Sequence, residues 1–185
     1  TSNQVLSVFE NEYLNENQNN IYVEELCLLV NYTVKHKGNV MNDSRVDKLL
    51  DMLFKDFKNL EFDFVYTTAW SLGPLIAFEG LNISTENKNL VINGLKDAEI
   101  SDQMAPFHPL VIFSIACMMN PGEVTEEVYT VIKQLSDHYM KEGIIMIEPL
   151  QASSLLMGWS RLQHYNEEYL KKISDIMKQK DFFNE

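Results

Sequence analysis

Four histidines, two cysteines and two tryptophans have the most chemistry to offer in this 185-residue chain. His164 stands three and four residues before Glu167 and Glu168. That spacing puts an imidazole and two carboxylates on one helix face. Such a cluster could exchange protons or hold a metal ion. The plainer reading, a surface or capping histidine, is the one expected here. His36, in "KHKG", reads as a cation in the last turn of a helix. His108 lies between Phe107 and Pro109 at the start of a helix, and His138 follows Asp137 on a solvated helix face. Cys27 and Cys117 sit in the apolar runs "EELCLLVNY" and "FSIACMMNP", as buried thiols acting like small hydrophobes. There is no C-x-x-C, H-E-x-x-H, phosphate-binding Gly loop, G-x-G-x-x-G or G-x-S-x-G. The expectation is a protein that is not an enzyme and has no cofactor, metal or catalytic residue.

Binding is the remaining possibility, and five residues are candidates for contacting a partner: Trp159, Trp70, His164, Lys171 and Lys172. The two tryptophans take corresponding places in the repeat described below. They are either core packing, which is the favoured reading, or aromatic anchors on a binding face. Met118, Met119, Met140, Met146 and Met157 read as flexible gap fillers in a core. Lys171, Lys172, Lys178 and Lys180 form the one local positive cluster, diluted by Asp175, Asp181 and Glu185. It reads as a solvated face.

The charge balance narrows the partner. Net charge is −12, and the 15 basic residues are nearly all lysine, with Arg45 and Arg161 the exceptions. Nucleic-acid binders neutralise phosphates with Lys and Arg, so RNA is the less favoured partner. The longest apolar run, 109–119, falls well short of the ~20 residues a bilayer needs, so no transmembrane segment is expected. The acidic, arginine-free start does not resemble a targeting peptide. The N-x-S/T sequons at Asn31, Asn42 and Asn82 are what a chain rich in Asn carries by chance.

Two interleaved series of apolar segments must position these side chains. One starts near Ile21, Phe62, Ala105 and Ile147, the other near Ser44, Thr85, Glu123 and Asn166. Each recurs with a period of about 41 residues, the sign of a helical repeat. The second helices are amphipathic: Val46, Leu49, Leu50, Leu53 and Phe57 recur at three- and four-residue steps between charged residues. The first helices are apolar nearly all round and carry small residues, Ala69, Ser71, Ser114, Ala116, Ser153, Ser154 and Gly158. That combination suits an inner layer packed closely on several sides. Ser44 serves as an N-cap, Gly38 and Gly143 as helix stops, and Pro74 should kink or split its helix. "GIIMIE" at 143–148 is a connector, "NQVLSVFENEYLN" a further amphipathic helix, and "NENQNN" a polar loop. The fold class is therefore all-α, a right-handed α-solenoid of about four two-helix repeats in a single domain, 1–185. The repeats lie near 21–60, 61–103, 104–144 and 145–185, after a partial repeat or cap at 1–20.

"SSLLMGWSRLQHYNEEYLKKISDIM", with Leu155, Leu156, Trp159 and Leu162 followed by Glu168, Leu170, Ile173 and Met177, resembles the octotricopeptide class of helical repeats. This class is related in architecture to HEAT repeats and accompanies C-terminal RAP domains in organellar RNA-processing proteins. "TTAWSLGPLIAF" echoes it around Trp70. The resemblance implies a helical solenoid, a mitochondrial setting (otherwise cytoplasmic), and either RNA or other protein subunits as partners. With the charge, it gives the expectation of a non-enzymatic scaffold or accessory subunit of a multi-subunit complex, respiratory, ATP synthase or ribosomal. The alternative is an organellar RNA-binding repeat protein.

Overall fold

In a computed structural model the described residues are Ser7, Val23, Leu26 and Leu28, then 43–96, 100–120 and 122–180. Seven α-helices and four short 3-10 or π turns account for most of them, with no strand among the described residues. The all-α class follows. Of the expected N-terminal helix only Ser7, and of the one expected at 21–34 only Val23, Leu26 and Leu28, are described; Cys27, Asn31, His36, Gly38 and Asn42 lie outside the described residues. The chain divides into two compact units, Thr1–Ala98 and Glu99–Glu185, and each takes in two of the expected repeats.

The first unit contains α1 (Ser44–Lys55), α2 (Phe62–Glu79) and α3 (Thr85–Lys96). α1 buries Val46, Leu49, Leu50 and Leu53 of the stripe read from its sequence, and Phe54 with them; Phe57, the last residue of that stripe, is buried in the 3-10 turn that follows. Its cap is Asp43, one residue earlier than expected: the Asp43 carboxylate accepts from the Arg45 N–H (3.0 Å) and from its guanidinium (2.8 Å at Nε). An anion is favoured there by the exposed N–H groups of the first turn. Arg45 also donates to the Ser7 hydroxyl (3.2 Å).

α2 runs unbroken through Pro74, so the expected split does not occur. A helix-interior proline costs about 3 kcal/mol. Leu72 and Leu75 flank it with no exposure at all, and burying each contributes about 1.5–3 kcal/mol. Tertiary packing outweighs the local penalty. Gly80, in the left-handed region at φ 72°, ends the helix. α3 folds back on α2. Gly94, near its end, sits where a Cβ would come within 2.8 Å of Val65, near the start of α2.

The second unit contains α4 (His108–Met118), α5 (Glu126–His138), α6 (Pro149–Arg161) and α7 (Glu167–Gln179). A 3-10 turn, Asp102–Phe107, leads into α4. A π-helical turn, Tyr139–Gly143, and a 3-10 turn, Ile144–Met146, prolong α5. The latter is the connector expected at "GIIMIE". Pro109 and Pro149 stand in first turns, where a missing N–H costs nothing.

α4 and α6 are the two first helices of this unit, and their contacts advance together along both. The Gln151 amide donates to the Pro106 carbonyl, 45 residues back (2.9 Å). Gly158 lies against the Phe113 backbone nitrogen. Arg161 donates to Cys117 Sγ, 44 residues back (3.6 Å). The helices are therefore parallel and in constant register. Small residues at the crossing permit this, as their sequences suggested: a Cβ on Gly158 would be 2.9 Å from Ile112 Cγ2 and 3.1 Å from Phe113 N.

α7 follows a different offset. The Tyr169 hydroxyl donates to Asp137, and Lys172 Nζ to the Met140 carbonyl (2.5 Å), both 32 residues back. Lys180 Nζ donates to the Ile145 and Ile147 carbonyls (2.8 and 2.9 Å). α7 thus runs beside the prolonged end of α5, about three helical turns beyond the place a strict repeat would give it.

Candidate functional site

Trp159 is the hub of the second unit. It projects from α6 with 2% exposure, and its indole N–H donates to the Ser136 hydroxyl on α5 (2.9 Å). A buried indole N–H needs such a partner. Its ring packs against Tyr169 of α7 (5.7 Å between centroids) and His164 (6.1 Å). Gln163, at φ 55°, turns the chain so that the His164 N–H reaches the Trp159 carbonyl (2.9 Å). Burial, more than the opposing pull of Asp137 and the push of Lys133, holds the His164 imidazole below its usual range. Its Nε2 is buried and finds no hydrogen-bond partner.

The five candidate contact residues therefore do not form one surface. Trp159 is core, with half-buried His164 against it. Trp70 belongs to α2 of the first unit, where it is half-buried. Lys171 and Lys172 are exposed on α7. Lys172 and Lys180 cap carbonyls of the prolonged α5, a use of lysine that helix C-termini favour. Glu167 and Glu168 stand in the first turn of α7, capped by the Asn166 side chain accepting from Tyr169 N (3.2 Å). Among the described residues no cluster of three metal-binding side chains occurs.

The methionine expectation divides. Met118, Met119 and Met140 are buried, but Met146 (61%) and Met157 (53%) are exposed. They are joined in exposure by Ile145 (73%) and Leu150 (67%). Leu150 and Met157 are seven residues apart and share one face of α6, on the side away from Trp159. Met157 adjoins Gly158, where α6 crosses the half-buried Phe113 of α4. α6 and the turn before it thus present large apolar side chains to solvent. Nothing in the sequence separates Met157 from Met118, since both sit in apolar helices.

A polar chain in the same unit was not legible in the sequence. His108, with no exposed surface, meets His138 across Nε2 and Nδ1 at 3.0 Å, and His138 Nε2 meets Asp102 Oδ1 at 3.0 Å. His108 and His138 are 30 residues apart, so no spacing in the sequence marks the pair. Burial first, and His138 second, push the His108 imidazole down to about 3. No nucleophile stands within this chain of three.

In the first unit, a cleft of about 440 Å³ is walled by Phe57, Phe62, Val65 and Leu90, with Lys58 and Asn93 on its lining. It brings no acid–base pair together. Among the described residues, no helix is long and apolar enough to cross a membrane. Comparison with protein-family models, with curated proteins and with solved structures gave no match to this chain.

Proposed function

We propose that the chain is a non-enzymatic α-helical-repeat scaffold, an accessory subunit that holds other proteins in a multi-subunit assembly. One observation carries the reading: α6 exposes Leu150 and Met157 on its free flank, with Ile145 and Met146 just before it, while Trp159 fills the core behind. Exposed apolar patches of this kind mark surfaces that meet other macromolecules. The parallel register of α4 and α6, 44–45 residues apart, supports a stacked repeat of the solenoid kind, because it nearly matches the period of the sequence. The net charge of −12 and the use of Lys172 and Lys180 on carbonyls favour a protein partner over RNA. A mitochondrial complex is the setting that the helical-repeat resemblance suggests.

The test replaces Leu150 and Met157 together by glutamate. Both side chains are exposed, so thermal melting should move by no more than a few degrees. Co-purification of partner subunits with the tagged chain should fall at least tenfold. Full retention of partners on the double variant would remove the α6 face from the account.

A further inference from the structure

We propose that the cleft of the first unit is a binding site for a small monocarboxylate with an apolar body. Three segments build it: the 3-10 turn Phe57–Asn59 that follows α1, the first turn of α2, and the second half of α3. Its floor is Phe57 and Val65, both buried. Phe57 is held in place by stacking on Phe54 (5.6 Å between centroids). Gly94 brings α3 onto this floor: a Cβ there would stand 2.8 Å from Val65 Cγ1 and 3.5 Å from Phe57 Cε1. A poor helix former thus stands where a side chain would collide with the floor. Leu90, one turn earlier on the same face of α3, and Phe62 on α2 are half-buried walls. The hollow of about 440 Å³ falls within the usual range of small-molecule sites. At the density of a liquid it has room for a body of about 15 non-hydrogen atoms.

The lining selects the head group. Lys58 is the one charged residue among those that line the cleft, and Asn93 the one other polar side chain. Both are exposed, and neither is held in an ion pair or hydrogen bond among the described residues. Asp56 and Glu61, near Lys58 along the chain, do not line the cleft. The Lys58 ammonium offers three N–H donors and the Asn93 amide two, which suits a head that only accepts and carries one negative charge. A carboxylate meets both conditions. A phosphate dianion would leave one charge unbalanced, and an ammonium head would meet a like charge at Lys58. The aromatic and aliphatic walls take the apolar body, and its removal from water drives binding. The site is in the other unit from the α6 face and does not depend on the scaffold reading.

Nuclear magnetic resonance titration of the isotope-labelled chain tests this with 2-naphthoate and dodecanoate, a ring and a chain of about the size the cleft admits. Amide signals of Leu90, Asn93 and Gly94 should shift and saturate with either probe, and the tighter of the two tells ring from chain. Lys58→Gln, an exposed change, should weaken 2-naphthoate about two- to fivefold, the worth of an exposed ion pair. It should leave binding of 2-naphthalenemethanol, the same ring with a neutral head, unchanged. Leu90→Trp, which fills the hollow, should weaken all three probes at least tenfold, with circular dichroism showing that the helices are kept. Where that variant does not fold, Lys58→Gln decides. Shifts confined to the α6 face around Leu150 and Met157, no saturation at Gly94, or 2-naphthoate affinity unchanged in Lys58→Gln would overturn the proposal.

Discussion

Gly158→Ala tests the tight first-helix crossing by its sign. At an open helical position this change stabilises by about 1 kcal/mol, because alanine is the better helix former. At residue 158 the new Cβ would stand 2.9 Å from Ile112 Cγ2, 3.1 Å from Phe113 N and 3.2 Å from the Ile112 carbonyl carbon. Carbon contacts are comfortable at about 3.5–4.0 Å. Two of the three atoms are backbone, so a change of rotamer cannot clear them, and α4 and α6 must move apart by about half an ångström or more. Overpacking of this kind costs about 1–3 kcal/mol. Against the helix-propensity gain, the net is a loss of about 1 kcal/mol, which lowers the melting temperature by about 4–8 °C in a unit of this size. Gly158→Val, larger and β-branched, should lose more. Ser153→Ala, exposed on the same helix, should change stability by no more than about 0.5 kcal/mol. The assay is thermal melting followed by circular dichroism, with urea titration to confirm the free energies. A rise in melting temperature for Gly158→Ala would refute the close parallel packing of the two helices.

Ser136→Ala strands the Trp159 indole N–H in the core and should cost about 1–3 kcal/mol in urea unfolding, with a shift in the Trp159 emission. Asp43→Ala removes the α1 cap and should cost about 0.5–2 kcal/mol, read by the same titration. Arg45 holds the Asp43 carboxyl down at about 2 from an ordinary 3.8. Its contribution is therefore complete above about pH 4 and is lost as pH falls through the folded value. The stability gap between wild type and Asp43→Ala should accordingly narrow between pH 4 and pH 2.

The elements that sequence periodicity located best are those with one wet face. α1 begins at Ser44, α3 at Thr85 and α7 beside its Asn166 cap, as expected, because charged residues bracket each apolar stripe. Of the first helices, α2 starts at Phe62 as expected, but the two in the second unit blur at their starts. α4 begins at His108 after a 3-10 turn and α6 at Pro149, since an all-apolar segment carries no phase. Gly158 was legible as a close-approach residue because small residues are concentrated in the first helices. The π-helical prolongation of α5 was not legible. It depends on Gly143, where a Cβ would fall 2.5 Å from the Tyr139 ring and 3.0 Å from the Ala105 carbonyl. That is a tertiary contact, invisible to spacing. The displacement of α7 follows from the same prolongation. The histidine pair was hidden for a related reason: it is made by two helix ends meeting in space. Leu170, set beside Ile173 and Met177 in the helical-repeat resemblance, is 38% exposed, and of α7 Ile173 alone is fully buried.

The scaffold reading is tested most directly by the native size of the endogenous protein in a gentle lysate, with and without RNase. The account predicts that it travels in a particle much larger than the chain alone and that RNase leaves the particle unchanged. A monomer in the untreated lysate, or a particle that collapses on RNase treatment, would contradict it.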